Sequence, residues 1–115
     1  MNAYLTMIKG SRTGEHFALD TTQDNRLGRG IDCNVVLTDP LCSRVHAVVH
    51  FEDGEWWVRD AGSRNGTYVN EQKIDEARMS DRDVLRVGDC WFSFSETRVG
   101  SENSGEARGE TSLAL

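Results

Sequence analysis

Three places in this 115-residue chain set an arginine beside small hydrogen-bonding residues. The first is Leu27-Gly28-Arg29-Gly30. The second is Asp39-Pro40-Leu41-Cys42-Ser43-Arg44-Val45-His46. The third is Asp60-Ala61-Gly62-Ser63-Arg64-Asn65-Gly66-Thr67. Arginine presents a planar fork of N–H donors that matches the oxygens of a phosphate. A charge-assisted hydrogen bond of this kind is about twice as strong as a neutral one. Serine adds a hydroxyl donor, and glycine lets a backbone come close because it carries no Cβ. Gathered at one end of a domain, such loops would hold a dianion. A fourth pattern, Asp83-Val84-Leu85-Arg86-Val87-Gly88-Asp89, runs through a predicted strand into a turn.

Rival chemistries fit these residues less well. Cys42, His46 and His50 have a spacing that suits a metal on a helix, but on a strand only the two histidines share a face and a fourth ligand is missing. No metal or cofactor is therefore expected. Ser43 and His46 could be a nucleophile and its base, yet nothing resembles a G-x-S-x-G elbow and no oxyanion loop is evident. Gly28-Arg29-Gly30 lacks the third glycine and the following helix of a dinucleotide fingerprint. An enzyme is not expected. His46 reads better as a structural hydrogen-bonding residue than as a catalyst, and Asn65-Gly66 can also serve as a turn.

The elements that must position these loops are short strands. Apolar runs alternate with clusters of Gly, Asn, Asp and Ser, the pattern of an all-β sandwich or barrel. Strands are expected at Ala3 to Ile8, Glu15 to Leu19, Asn25 to Leu27, Asn34 to Leu37 and Ala47 to Phe51. Others are expected at Glu55 to Arg59, Thr67 to Val69, Asp83 to Val87 and Trp91 to Ser95. Ala47, Val49 and Phe51 should share one face, and Phe92 and Phe94 should oppose Trp91 and Ser93. Adjacent Trp56 and Trp57 must point to opposite faces, one of them into the core. Asp53-Gly54 tolerates positive φ and predicts a hairpin turn. Glu71 to Met79 is the one candidate for a helical turn.

Charge and composition narrow the class further. The formal net charge is −6, whereas a general nucleic-acid binder carries a basic face. Three cysteines, Cys33, Cys42 and Cys90, form no CxxC pair and suggest reduced thiols in the cytoplasm. No signal peptide is evident at the first residues, and no apolar run approaches the ~18 residues of a membrane span. Residues 1–97 read as one domain. Residues 98–115, rich in Gly, Ser, Glu, Asn and Thr, read as a flexible tail or linker.

In order, Gly28-Arg29, Ser43-Arg44-Val45-His46, Ser63-Arg64-Asn65-Gly66-Thr67 and Gly88-Asp89 resemble the signature of the forkhead-associated (FHA) domain family. The resemblance runs from about Tyr4 to Ser95. It implies a two-sheet antiparallel β-sandwich of about eleven strands with binding loops at one apex, and a phosphothreonine-reading function. Recognition of phosphorylated motifs by arginine clusters is a known mode of this family.

By that resemblance, Arg29 and Ser43 contact the phosphate, and Arg44 and Arg64 face the phosphate or the nearby peptide. Asn65 hydrogen-bonds the peptide main chain. Gly28, His46 and Gly66 support the loops. Leu41 helps choose an apolar residue at the third position after the phosphothreonine. Glu71 stands where the family often has Gly and implies a changed turn. Preference for phosphothreonine over phosphoserine rests on one methyl group, worth about 1–3 kcal/mol in a fitted niche. The implied partner is a phosphothreonine protein or peptide, and the module could be the sensory domain of a larger regulator. The alternative is a phosphate-independent interaction scaffold. Thr111 reads as an ordinary linker residue, although a phosphorylated tail could fold back on the loops or reach a second copy.

Overall fold

The computed structural model describes residues 2–97. The proposed tail, residues 98–115, and with it Thr111 lie outside the described residues. Among the described residues there are eleven strands and no helix: β1 (Asn2–Lys9), β2 (His16–Ala18), β3 (Asn25–Gly28), β4 (Val35–Val36), β5 (Ala47–Glu52), β6 (Glu55–Asp60), β7 (Thr67–Val69), β8 (Gln72–Ile74), β9 (Glu76–Met79), β10 (Val84–Val87) and β11 (Cys90–Thr97). They form a six-stranded sheet in the order β2-β1-β11-β10-β7-β8 and a five-stranded sheet in the order β4-β3-β5-β6-β9. Every neighbouring pair is antiparallel except β3 and β4, which run parallel.

The sandwich follows from alternation. Along β11, Cys90, Phe92 and Phe94 are buried while Trp91 and Ser93 are only half-buried. Along β6, Trp56 and Val58 enter the core, and Trp57 faces outward. Phe92, Phe94, Leu5, Leu85 and Val87 of one sheet pack against Leu27, Ala47, Val49 and Trp56 of the other. Trp56 meets Phe94 edge-on at 6.3 Å between ring centroids. Burial of such side chains at ~25 cal/mol per Å² of apolar surface is the main force closing the two sheets.

The β5–β6 turn forms as expected, with Asp53 and Gly54 at φ of 53° and 78°. Residues 71–79 do not form a helical turn. They build β8 and β9, because Asn70 and Glu71 adopt φ of 50° and 69° and reverse the chain tightly. That left-handed pair favours Asn-Gly, and it explains why glycine suits position 71. The strand expected over 34–37 shortens to Val35–Val36.

Strand direction sorts the loops into two poles. The β3–β4, β4–β5, β6–β7 and β10–β11 connections meet at one pole, and β1 arrives there at Lys9, opposite Trp91. At the other pole Asn2 pairs with Thr97.

Candidate phosphate-binding apex

The apex is built by backbone hydrogen bonds that dock one loop onto another. The Arg29 N–H donates to Ser43 O at 3.0 Å, and the Gly30 N–H donates to Arg44 O at 2.9 Å. This docking requires glycine at position 28. A Cβ there would sit 2.2 Å from Arg44 O and 2.8 Å from Ser43 O. The Arg29 side chain is then anchored through Nε, which donates to Cys42 O at 2.5 Å. Its Nη groups make no hydrogen bond or ion pair among the described residues.

His46 joins the second loop to the third. It is fully buried. Its Nδ1 accepts the Ser43 N–H at 3.0 Å, so the ring hydrogen sits on Nε2 and is donated to Gly66 O at 2.7 Å. Both ring nitrogens are thus used within the protein, which removes His46 as a metal ligand or general base. Two more bonds cross the same gap. The Arg64 N–H donates to Ser43 Oγ at 3.0 Å, and Asn65 Nδ2 donates to Leu41 O at 2.7 Å. The Ser43 oxygen therefore accepts from the backbone and keeps its own O–H to donate. Asn65 keeps Oδ1 as an acceptor.

The side chains of Arg29, Arg44 and Arg64 are all exposed at this pole. Those of Arg44 and Arg64 make no hydrogen bond or ion pair among the described residues. Leu41 is 51% exposed on the same loop as Ser43. Gly66, at φ 87°, makes the turn that presents its carbonyl to His46. Each site residue expected from the sequence thus lies on one of three connected loops, save Gly28, which ends β3.

Two features of the apex were not expected. Asp60, at the end of β6, organises the third loop from within. Its carboxylate accepts Gly62 N–H at 3.1 Å, Ser63 N–H at 3.0 Å, Thr67 Oγ1–H at 2.7 Å and the Ser63 hydroxyl. Burial pushes this carboxyl up, but the Ser63 and Thr67 bonds outweigh it and hold the group below the usual carboxylate range. An Asp three residues ahead of a Ser in a turn-rich segment is the sequence signal that could have found it. Asp39 and Cys42 of the second loop and Cys90 of β11 bring their donor atoms within 4.8 Å of one another. Burial, reinforced by Cys90 and Asp39, pushes the Cys42 thiol up to about 12. All three cysteines are free thiols.

A preorganised, arginine-rich loop cluster on an eleven-stranded sandwich defines a phosphate-reading module. The FHA domain model matches residues 25–88 of the chain, and the chain belongs to that family. Over 104 residues it is 38% identical to the glycogen accumulation regulator GarA of Mycolicibacterium smegmatis, covering 90% of this chain and 65% of GarA. It is 39% identical over 86 residues to the FHA domain-containing protein FhaB of Mycobacterium tuberculosis, covering 74% of this chain and 55% of FhaB. The chain therefore spans just under two thirds of the one relative and little more than half of the other.

Among solved structures, a domain from work on phosphothreonine-dependent FHA interactions superposes with a TM-score of 0.79 at 28% identity, covering 86% of this chain and all of that one. Mycobacterium tuberculosis EmbR in complex with a low-affinity phosphopeptide superposes with a TM-score of 0.75 at 29% identity, covering 85% of this chain and 26% of EmbR. No helix of the described residues is long and apolar enough to cross a membrane.

Proposed function

We infer that this chain is a phosphothreonine-dependent protein-binding module that reads a phosphorylated partner within a regulatory or signalling pathway. One observation carries the reading. Arg29 is fixed through Nε to Cys42 O, leaving its Nη donors open beside a Ser43 hydroxyl that is itself pinned by the Arg64 N–H. A phosphate of charge about −1.5 to −2 supplies the acceptors that these donors lack. Arg29 and Ser43 take the phosphate oxygens, with Arg44 and Arg64 adding positive charge at the rim. Asn65 Oδ1 accepts an N–H of the peptide backbone. Leu41 offers an apolar contact further along the peptide. A carboxylate fits poorly, since it carries one charge and fewer oxygens. The family and the relatives above point to a binding and regulatory role rather than catalysis.

Calorimetric titration with one peptide in phosphothreonine, phosphoserine and unmodified forms tests this. The phosphothreonine form should bind about 10- to 200-fold tighter than the phosphoserine form, and the unmodified form should not bind. Arg29→Ala should nearly abolish binding. Equal affinity for phosphorylated and unmodified peptides would instead establish the phosphate-independent scaffold. Phosphorylating Thr111 should lower affinity for an external phosphopeptide if the tail competes for the apex. Unchanged affinity leaves Thr111 an ordinary linker residue.

A further inference from the structure

The outer face of the six-stranded sheet carries a row of side chains in strict cation–aromatic alternation. Strand register places Lys9 opposite Trp91, Trp91 opposite Arg86, Arg86 opposite Tyr68 and Tyr68 opposite Lys73. The row therefore crosses five strands: β1, β11, β10, β7 and β8. Ring contacts bind it together. The Lys9 ammonium lies 5.6 Å from the Trp91 ring centre, and the Arg86 guanidinium lies 3.9 Å from Tyr68 and 5.7 Å from Trp91. Lys9 also pairs with Asp89 at 3.1 Å. The side chains of Arg86 and Lys73 make no hydrogen bond or ion pair among the described residues. Three cations thus line one face of a chain whose net charge is −6.

The row runs into the apex. The Lys73 side chain lies over Gly66, with Cε 3.0 Å from where a Cβ at Gly66 would stand. Gly66 is the residue whose carbonyl His46 holds. A ligand leaving the phosphate site past Gly66 meets Lys73 first, then Tyr68, Arg86, Trp91 and Lys9.

Spacing specifies what fits. Successive cations in the row are two strands apart, about 9.6 Å at ordinary strand separation. One turn of polyproline II spans about 9.3 Å and returns every third side chain to the same side, whereas in an extended strand residues i and i+3 face opposite sides. We propose that this row is a second recognition strip of the domain, engaging an acidic segment of the phosphorylated partner that lies across it as a polyproline II helix with a carboxylate at every third residue. Three carboxylates spaced i, i+3 and i+6 would meet Lys73, Arg86 and Lys9. The peptide backbone between them would cross Tyr68 and Trp91. This strip rests on the phosphothreonine reading of the apex only for its starting point.

The experiment compares phosphothreonine peptides by calorimetry at low and physiological salt. One is short. The others extend it, on either side, with a glutamate at every third residue or with the same number of glutamates at every second residue. The every-third extension on one side should bind about tenfold tighter than the short peptide, the scale of three partly exposed ion pairs together. The gain should shrink as salt rises. Lys9→Glu should remove much of the gain while leaving affinity for the short peptide within twofold, since Lys9 lies four strands from Lys73. Arg86→Gln should do the same. The Trp91 indole N–H resonance should shift only with extended peptides.

A gain below twofold on both sides overturns the strip, and so does an equal gain from every-second spacing. Tighter binding of an oligothymidine to this face than of the acidic peptide also overturns it, in favour of a nucleic-acid platform. Failure of the short phosphopeptide to bind, with an extended unphosphorylated peptide still bound and sensitive to Lys9→Glu, would refute the apex reading and leave the strip standing.

Discussion

Replacing Gly28 with Ala tests whether loop docking, rather than the arginines alone, makes the apex. The new Cβ would stand 2.2 Å from Arg44 O and 2.8 Å from Arg44 C and Ser43 O. All three are backbone atoms, so no side-chain rotation relieves the clash. The Ser43–Arg44 segment must retreat by about 1 Å to reach ordinary contact distance. That retreat strains the Arg29 N–H to Ser43 O and Gly30 N–H to Arg44 O bonds, now 3.0 and 2.9 Å. Overpacking of this kind costs about 1–3 kcal/mol, and each weakened bond adds about 0.5–1.5 kcal/mol. We expect a loss of about 2–6 kcal/mol of stability, measured by urea denaturation. Phosphopeptide affinity should fall by about tenfold or more at a temperature where the variant is still folded, because a charge fork must be held within about 0.5 Å to work.

Two control substitutions separate causes. Gly30→Ala meets Arg44 O and Asp32 Oδ1 at 3.0 Å, a milder contact, and should cost less on both measures. Gly62→Ala has nothing within 4 Å but lies at φ 76°. It should cost about 1 kcal/mol through backbone strain alone, with little change in affinity. A Gly28→Ala variant that binds phosphopeptide within twofold of the parent, at unchanged stability, would refute the claim that this close approach sets the site.

Other expectations follow from the same geometry. Asp60→Asn should destabilise by about 1.5–3 kcal/mol at neutral pH, the range for hydrogen bonds to a charged group. Asp60 is held below its ordinary value of 3.8, so its contribution is complete above that value and is lost as pH falls through its lowered folded-state value. The gap between parent and variant should close on acidification, and a constant gap from pH 7 to pH 3 in denaturation curves would dismiss the carboxylate as the hub. Glu71→Gly should stabilise by about 0.5–1 kcal/mol, because relief of a left-handed residue is worth about 1–2 kcal/mol against an unfolded-chain entropy loss of ~0.4–1; thermal melts would show a higher Tm. Cys42, its thiol pushed up to about 12, should react with iodoacetamide far more slowly at pH 7.5 than a free thiol does, since the thiolate is the nucleophile. Peptide mapping by mass spectrometry would show it.

Several of these features were legible in the residues. Asp53-Gly54 signalled its turn through the only pair there that tolerates two positive φ angles. Phe92 and Phe94 signalled their face through alternation against Trp91 and Ser93. Arg29, Ser43 and His46 stood out because few structural needs place those types together in loops. β8 and β9 were hidden, since Gln72-Lys73-Ile74 and Glu76-Ala77-Arg78-Met79 are short, polar and depend on neighbours for their pairing. The parallel β3–β4 pair was hidden because a two-residue strand carries no periodicity. The role of Asp60 and the Lys9-to-Lys73 row depend on partners distant in sequence, which only register brings together.

The pairing of Asn2 with Thr97 has a mechanical side. Any polypeptide continuing from those two residues leaves the domain from adjacent points on neighbouring antiparallel strands. Tension carried through it would load the β1–β11 ladder one rung at a time, from the base, as a zipper is opened. Lys9 and Trp91, the rung beside the apex, would be among the last to feel it. The phosphate loops are thus insulated from strain in a tether, and a phosphopeptide could stay gripped while the base begins to fray.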